Sequence, residues 1–351
     1  MGVNKHEFGV FLPVANGGWV ISSTTPPLDG LWRQNLAAAV TADEVGMDFV
    51  MSMGKWRGFG GVTNHWGVQM ESLTMMAGIA QATKRVRLWA TLHPLLQNPA
   101  VAAKMITTLD HISGGRAGLN IVAGAYRGEF AQMGAWDDRL DHDDRYALAE
   151  EWTMLIKRLW SEPSVTHNGR FFHFEDCESN PKPLSRPRPE LISAGMSERG
   201  FEFAVREADA CFIGGRTPND RRDASRRAKA VADKYGKTVK TYAMCTVVYA
   251  ETDAKAEALV ERYREGVDMG AVIEMLKCWG VPPERLTEIA KQQGAFMTQT
   301  AVGTPATCAD EIEAFIGHAE LDGLMLIFPD YVEGLAMFGG DILPGLRRLA
   351  A

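Results

Sequence analysis

Cysteine is sparse in this 351-residue chain. Cys177, Cys211, Cys245, Cys278 and Cys308 lie 30 or more residues apart and form no C-x-x-C pair. That excludes a disulfide scaffold and a dithiol redox motif, and it suits reduced thiols packed as small hydrophobes in a cytoplasmic protein. The eight histidines are equally dispersed, with no two placed four apart on a helical stretch, so no metal site is expected. No apolar run reaches the roughly 18 residues of a spanning helix, and Met1–Val14 lacks the apolar core of a signal peptide. There is no basic block either. A formal charge of −7 and a pI near 5.7 argue against nucleic acid or an anionic membrane surface as a partner. Familiar catalytic signatures are missing too. No G-x-G-x-x-G opens a helix after the first strand, and there is no P-loop. Gly195-Met196-Ser197-Glu198-Arg199-Gly200 is not a nucleophile elbow, because its second glycine comes one place late.

What is present is a soluble-type composition, 46% apolar and 23% charged, on a chain long enough to bury a sizeable core without staples. Eight short, mostly continuous apolar runs read as parallel strands buried on both faces: Phe8–Leu12, Phe49–Met53, Val86–Thr91, Ala117–Val122, Leu191–Gly195, Ala210–Gly214, Tyr242–Ala250 and Gly323–Phe328. Amphipathic helical stretches alternate with them. Pro99–Ile112 carries the clearest signals, with Asn98 as N-cap, Pro99 in the first turn and Ser113-Gly114-Gly115 as the stop. Phe338–Leu349 contains Pro344 and is expected to divide into a turn and a last helix. Eight strands with interleaved helices predict an α/β protein, a (β/α)8 TIM barrel, against an open doubly wound sheet as the alternative. The whole chain, 1–351, is expected to form one domain. Two insertions are expected, about 124–189 after strand 4, with a hairpin turning at Asn168-Gly169, and about 251–305 between strands 7 and 8, placed to form a lid.

In such a barrel functional groups gather on loops after the strand ends. That rule selects Asn16–Trp19, Ser52–Arg57, Thr91–His93, Asn120 with Gly124, Ala194–Ser197 and Phe212–Gly215. Ser197, opening a helix after a strand, reads equally as a phosphate-binding hydroxyl or a simple N-cap. Arg145-Tyr146 offers a phosphate clamp, against a solvated Arg paired with Asp143 or Asp144. Asn120, among buried apolar residues, must find partners or carry a cost. Lys55 and Arg57 form either a gripping loop or a mobile surface loop. Glu71 is a candidate general base or an ordinary first-turn acid.

Taken together, GVFLP (Gly9–Pro13), NGGW (Asn16–Trp19), SMGKWRGFGG (Ser52–Gly61), ESLTMMA (Glu71–Ala77), ISGGRAGLN (Ile112–Asn120), Asp144-Arg145-Tyr146 and SAGMS (Ser193–Ser197) carry a resemblance. The chain resembles the bacterial-luciferase-like, flavin-dependent monooxygenases over nearly its whole length, and within them the pyrimidine-oxygenase branch. The resemblance implies FMN, as FMNH2, and O2 as cofactors, with NADH or NADPH used only by a separate flavin reductase. It implies a homodimer or homotetramer acting on a small molecule. Residue by residue, it places flavin ligands at Gly54, Lys55, Asn120, Glu129, Arg145, Tyr146 and Ser197. It places the dioxygen pocket at Met53, Thr91, Asn120 and Phe212, with the Thr91 hydroxyl and Asn120 amide donating to a developing flavin peroxide. The expected activity is oxidative cleavage of an N-heterocyclic or amide-like substrate. Departures also occur. Ala125–Phe130, with His142-Asp143, looks more like the sulfone and alkanesulfonate monooxygenases, whose anionic substrates would suit Lys55, Arg57 and Arg127. Gly54 stands where the branch has a larger aliphatic residue, beside the equally divergent Leu92-His93-Pro94, and predicts a roomier pocket, large enough for a second flavin. A barrel that binds flavin or deazaflavin without oxygenating is the remaining alternative.

Overall fold

The computed structural model describes residues 6–124, 126–215 and 217–349. Met1–Lys5 and Ala125, which opens the divergent 125–130 segment, lie outside them. Eleven strands occur among the described residues: β1 (Glu7–Phe11), β2 (Phe49–Met51), β3 (Arg87–Leu92), β4 (Ala117–Ile121), β5 (Val165–Asn168), β6 (His173–Cys177), β7 (Glu190–Ser193), β8 (Ala210–Phe212), β9 (Lys240–Tyr249), β10 (Gln299–Gly303) and β11 (Gly323–Ile327). Eight of them pair in parallel in the order β1-β2-β3-β4-β7-β8-β9-β11 and close where β11 returns to β1. This is the expected TIM barrel. Its strands are apolar on both faces because side chains inside the cylinder fill it while those outside meet helices. In β4 and β11 all five residues are buried.

Local signals set the helix ends. Asn98 accepts from the Ala100 amide, Pro99 sits in the first turn, and Gly114 ends the helix Pro99–Ser113 in the left-handed region at φ +68°. Glu71 caps the helix Ser72–Ala82, its carboxylate accepting from the Leu73 and Thr74 amides at 3.0 and 2.7 Å. It is therefore engaged as a cap and is not a free base. Arg116 of the Ser-Gly-Gly-Arg stretch bonds the Ala80, Thr83 and Val86 carbonyls, so this motif ties that helix's C-terminus to the next strand. The polypeptide after Asp330 runs as helix Tyr331–Met337, a wide turn Phe338–Ile342 and helix Leu343–Leu349. Pro344 does not break it. The proline lies in a first turn, where its missing N–H costs nothing, and the irregularity falls before it at Gly339-Gly340.

The first insertion holds the antiparallel hairpin β5–β6, turning through residues 169–172. The second holds helices Asp253–Glu265, Met269–Cys278 and Leu286–Gln293, and the unexpected β10. β9 is ten residues long; its last five run past its pairing with β8 and pair with Gln299–Gly303, the first two of them still paired with β11 as well. This insertion packs across the loops after β1 and β2. Val20 bridges Phe296 and Ser22 bridges Val267. Asp268 accepts from the Thr63 amide at 2.7 Å and its hydroxyl at 2.8 Å. One flank of the mouth is therefore roofed by this segment.

Candidate active site

Thr91 and Asn120 stand directly opposite each other in the register of β3 and β4, at the C-terminal end of the barrel, and both are buried. The Thr91 hydroxyl lies 2.5 Å from the Ser52 carbonyl oxygen. A carbonyl can only accept, so Thr91 donates there and accepts from Asn120 Nδ2 at 3.0 Å. That order fixes the amide's orientation. Asn120 Oδ1 is left buried with no partner among the described residues, a cost of about 1–3 kcal/mol unless a ligand supplies a donor. Behind them, Ser72 Oγ accepts from the Thr91 amide at 2.8 Å and lies 2.6 Å from Ser52 Oγ. The expectation that Thr91 donates to an oxygen species is therefore altered. Its proton is spent on Ser52, and its role here is to align Asn120, whose second N–H remains free to donate.

The loop after β2 is strapped down rather than mobile. Lys55 Nζ pairs with Glu129 Oε2 at 2.8 Å, both side chains nearly buried, and the other Glu129 oxygen accepts from the Trp56 amide. Lys55 lies over the Phe59 and Tyr126 rings, 4.7 and 5.1 Å from their centroids. Two residues expected to contact the cofactor separately, 74 positions apart, thus neutralise each other. Arg57 bonds the Gly128 carbonyl at 3.2 Å, and Arg127 is exposed and paired with Asp138. The roomier pocket expected at Gly54 is not there. A Cβ on Gly54 would lie 2.8 Å from His93 Nε2 and 3.2 Å from Thr91 Cγ2, so the imidazole occupies the space that a larger residue would fill.

At the other end of the mouth, Tyr146, next to Arg145 in the chain, meets Ser197. Ser197 caps helix Glu198–Glu207, its hydroxyl accepting from the Gly200 amide at 3.0 Å. The Tyr146 hydroxyl bonds Ser197 and is buried; burial raises its pKa, opposed by that bond and by Arg145 and Arg199. Close approach here needs Gly200, whose Cβ would fall 2.3 Å from Tyr146 Oη. Arg145 lies 4.9 Å over the Trp136 ring and bonds the Leu140 carbonyl. It has no carboxylate partner among the described residues, because Asp144 goes to Arg170 and Asp143 to His142. A helix N-terminus, two hydroxyls and an uncompensated guanidinium fit a phosphate. Together with the orphaned acceptor Asn120 Oδ1, the donor types present are those a flavin mononucleotide would need.

Met53 is half-buried against the core. Phe212 packs on Trp89 and Tyr242, with centroids 6.4 and 5.8 Å away, in the aromatic layer below the mouth. Sequence reasoning missed Ser72, Trp136 and His65. No local signal marks Ser72 or Trp136 in the sequence. His65 is fully buried with both ring nitrogens unpartnered, and burial lowers its pKa to about 4 despite nearby Asp268.

Comparison with known proteins agrees with this geometry. The luciferase-like monooxygenase family matches residues 6–318. A pyrimidine monooxygenase, RutA, from Bradyrhizobium sp. strain BTAi1 is 34% identical over 357 residues, covering 98% of both chains. RutA from Variovorax paradoxus is 34% identical over 349 residues, covering 97% of this chain and 94% of its own. The crystal structure of a riboflavin lyase, RcaE, with modified FMN and riboflavin superposes with a TM-score of 0.86 at 21% identity, covering 98% of this chain and 92% of that one. The chain belongs to the luciferase-like monooxygenases and is a flavin-dependent enzyme of that family.

Proposed function

We propose that the protein takes FMNH2 from a separate NADH- or NADPH-dependent reductase and, with O2, cleaves a small N-heterocycle at an amide-like carbonyl. The observation that carries this reading is the buried, unpartnered Asn120 amide oxygen, held in one orientation by Thr91 and Ser52. Reduced flavin, when bound, supplies the electrons that activate dioxygen, so the chain needs no metal or nucleophile of its own. Asn120 offers an acceptor to a ring N–H and one N–H to the reacting oxygen, in the manner of an oxyanion hole. Met53 and Phe212 line an apolar slot for O2. Arg145, Tyr146 and Ser197 grip the phosphate. The 251–305 insertion, latched through Asp268 to Thr63, keeps water from one flank of the mouth.

The relatives named for pyrimidine oxidation and the fold neighbour solved with riboflavin support a cyclic amide or imide as substrate. The sulfonate alternative is motivated by the Arg127–Phe130 segment, with Lys55, Arg57 and Arg127 as cations that would suit its anion. Lys55 is neutralised by Glu129, Arg127 by Asp138, and Arg57 faces a carbonyl. The test is anaerobic loading with FMNH2, then 18O2 with uracil, thymine and riboflavin as candidates. A ring-opened product carrying one labelled oxygen is expected. Unlabelled product, sulfite release from sulfonates, or O2-independent turnover with a reduced deazaflavin would replace the reading.

A further inference from the structure

Both ring nitrogens of His93 face main-chain carbonyls. Nε2 lies 3.0 Å from the Gly54 oxygen, after β2, and Nδ1 lies 3.2 Å from the Val122 oxygen, after β4. The ring is buried, set edge-on to Phe130 with centroids 5.1 Å apart, and burial depresses its pKa. A neutral imidazole has one N–H to give. We assign it to Nε2, the shorter contact. Gly54 is what lets the ring come so close, since a Cβ there would lie 2.8 Å from Nε2.

The consequence lies on the far side of the Gly54–Lys55 peptide. The unit is planar and trans, so a carbonyl held toward His93 turns the Lys55 N–H the opposite way. No group among the described residues accepts that N–H, although the Lys55 side chain and the next amide, Trp56, are both bonded to Glu129. The peptide is thus clamped on both sides while one donor, the Lys55 N–H, is left without an acceptor among the described residues.

We propose that His93 is a positioning residue. By holding the Gly54 carbonyl it aims the Lys55 amide N–H at the flavin ring, so that His93 acts on the cofactor without touching it. This rests on the flavin reading above. Gly54 and His93 then form a functional pair, the glycine making room for the imidazole and the imidazole fixing the glycine's peptide.

The test is oxidised FMN binding, read by fluorescence titration and by the visible spectrum of the bound flavin. His93→Phe fills the volume without a donor and is expected to weaken FMN about five- to tenfold, the scale of one hydrogen bond, and to move the spectrum toward that of free FMN. His93→Gln, whose amide can donate to the same carbonyl, is expected to restore both. Wild-type affinity and spectrum in His93→Phe, or no rescue by Gln, overturns the proposal. Should His93→Phe fail to fold, Gly54→Ala decides: its Cβ displaces the ring from the carbonyl, and an unaltered spectrum there overturns the proposal equally. If wild type binds no FMN, the flavin reading falls and takes this inference with it. If wild type binds and the variants are indifferent, only the inference falls.

Discussion

The two ends of the barrel treat polar groups in opposite ways. At the N-terminal ends of the strands, charges from four strands close on one another. Arg87 of β3 reaches Glu190 of β7 at 2.9 Å and also Glu7 of β1, while Lys240 of β9 pairs with Glu7 at 2.6 Å. Tyr242 donates to Glu7 at 2.5 Å, and the Trp89 indole to Glu190 at 3.0 Å. Two cations and two anions cancel, and the hydrogens have acceptors. At the C-terminal ends, Asn120 Oδ1, Gln69 Oε1, Trp56 Nε1 and both nitrogens of His65 are buried without partners among the described residues. A satisfied network stabilises, whereas an unsatisfied one costs free energy that binding can recover. Strain of this kind is expected at a functional end and not at a structural one.

The comparison can be broken in both directions. The largest effect is expected at the base. Arg87→Met leaves Glu7 and Glu190 without their shared cation, and urea unfolding should show a loss of about 3 kcal/mol. A loss under 1 kcal/mol would mean the base is not the more tightly bound end. At the mouth, Asn120→Ala should leave stability nearly unchanged or improved, since it removes an orphan, while product formation falls roughly 10²-fold. Thr91→Ala should follow with a similar loss of product, because it frees the Asn120 amide to rotate; both should retain FMN. Wild-type turnover in both variants would remove their roles. Arg145→Ala should spare the fold and weaken FMN by about tenfold, on the scale of a charge-assisted bond; unchanged titration would move the phosphate elsewhere.

The smallest effects separate the two ends by pH. Burial pushes the Glu7 pKa up, but Arg87, Lys240 and Tyr242 outweigh it and hold the carboxyl at about 2, against 4.5 unperturbed. A depressed folded pKa means stability that is full above 4.5 and lost as pH falls toward 2. His65, held near 4 by burial against 6.5, contributes stability lost earlier, between pH 6.5 and 4. Urea midpoints should therefore fall in two windows. His65→Phe should make the upper one shallower, since buried His93 also loses stability as pH falls below 6.5, and Glu7→Gln should flatten the lower one. A midpoint curve that keeps both slopes in the variants would show that other groups set them.

Much of the fold was legible in the chain. Continuous apolar runs marked the eight barrel strands, since strands covered on both faces need no alternation. Asn98-Pro99 and Gly114 marked a helix at both ends. β10 escaped because Gln-Thr-Ala-Val-Gly is short and partly exposed, paired only to the second half of β9. The strand-end rule located Thr91 and Asn120. It had no means of finding their hydrogen-bond order, which depends on Ser52, 39 residues away. The base network was illegible for the same reason: Glu7, Arg87, Glu190 and Lys240 look like single solvated charges until the barrel closes.

The chain alone determined the periodicities, the caps, the breaks and the residue types at each strand's end, because these depend on neighbours a few positions away. Tertiary structure decided who meets whom: Lys55 with Glu129, His93 in the space at Gly54, Glu7 with Arg87, and an Asn120 oxygen with nothing. Partnership between side chains tens or hundreds of residues apart is set by strand register and barrel closure. Local sequence carries no record of either.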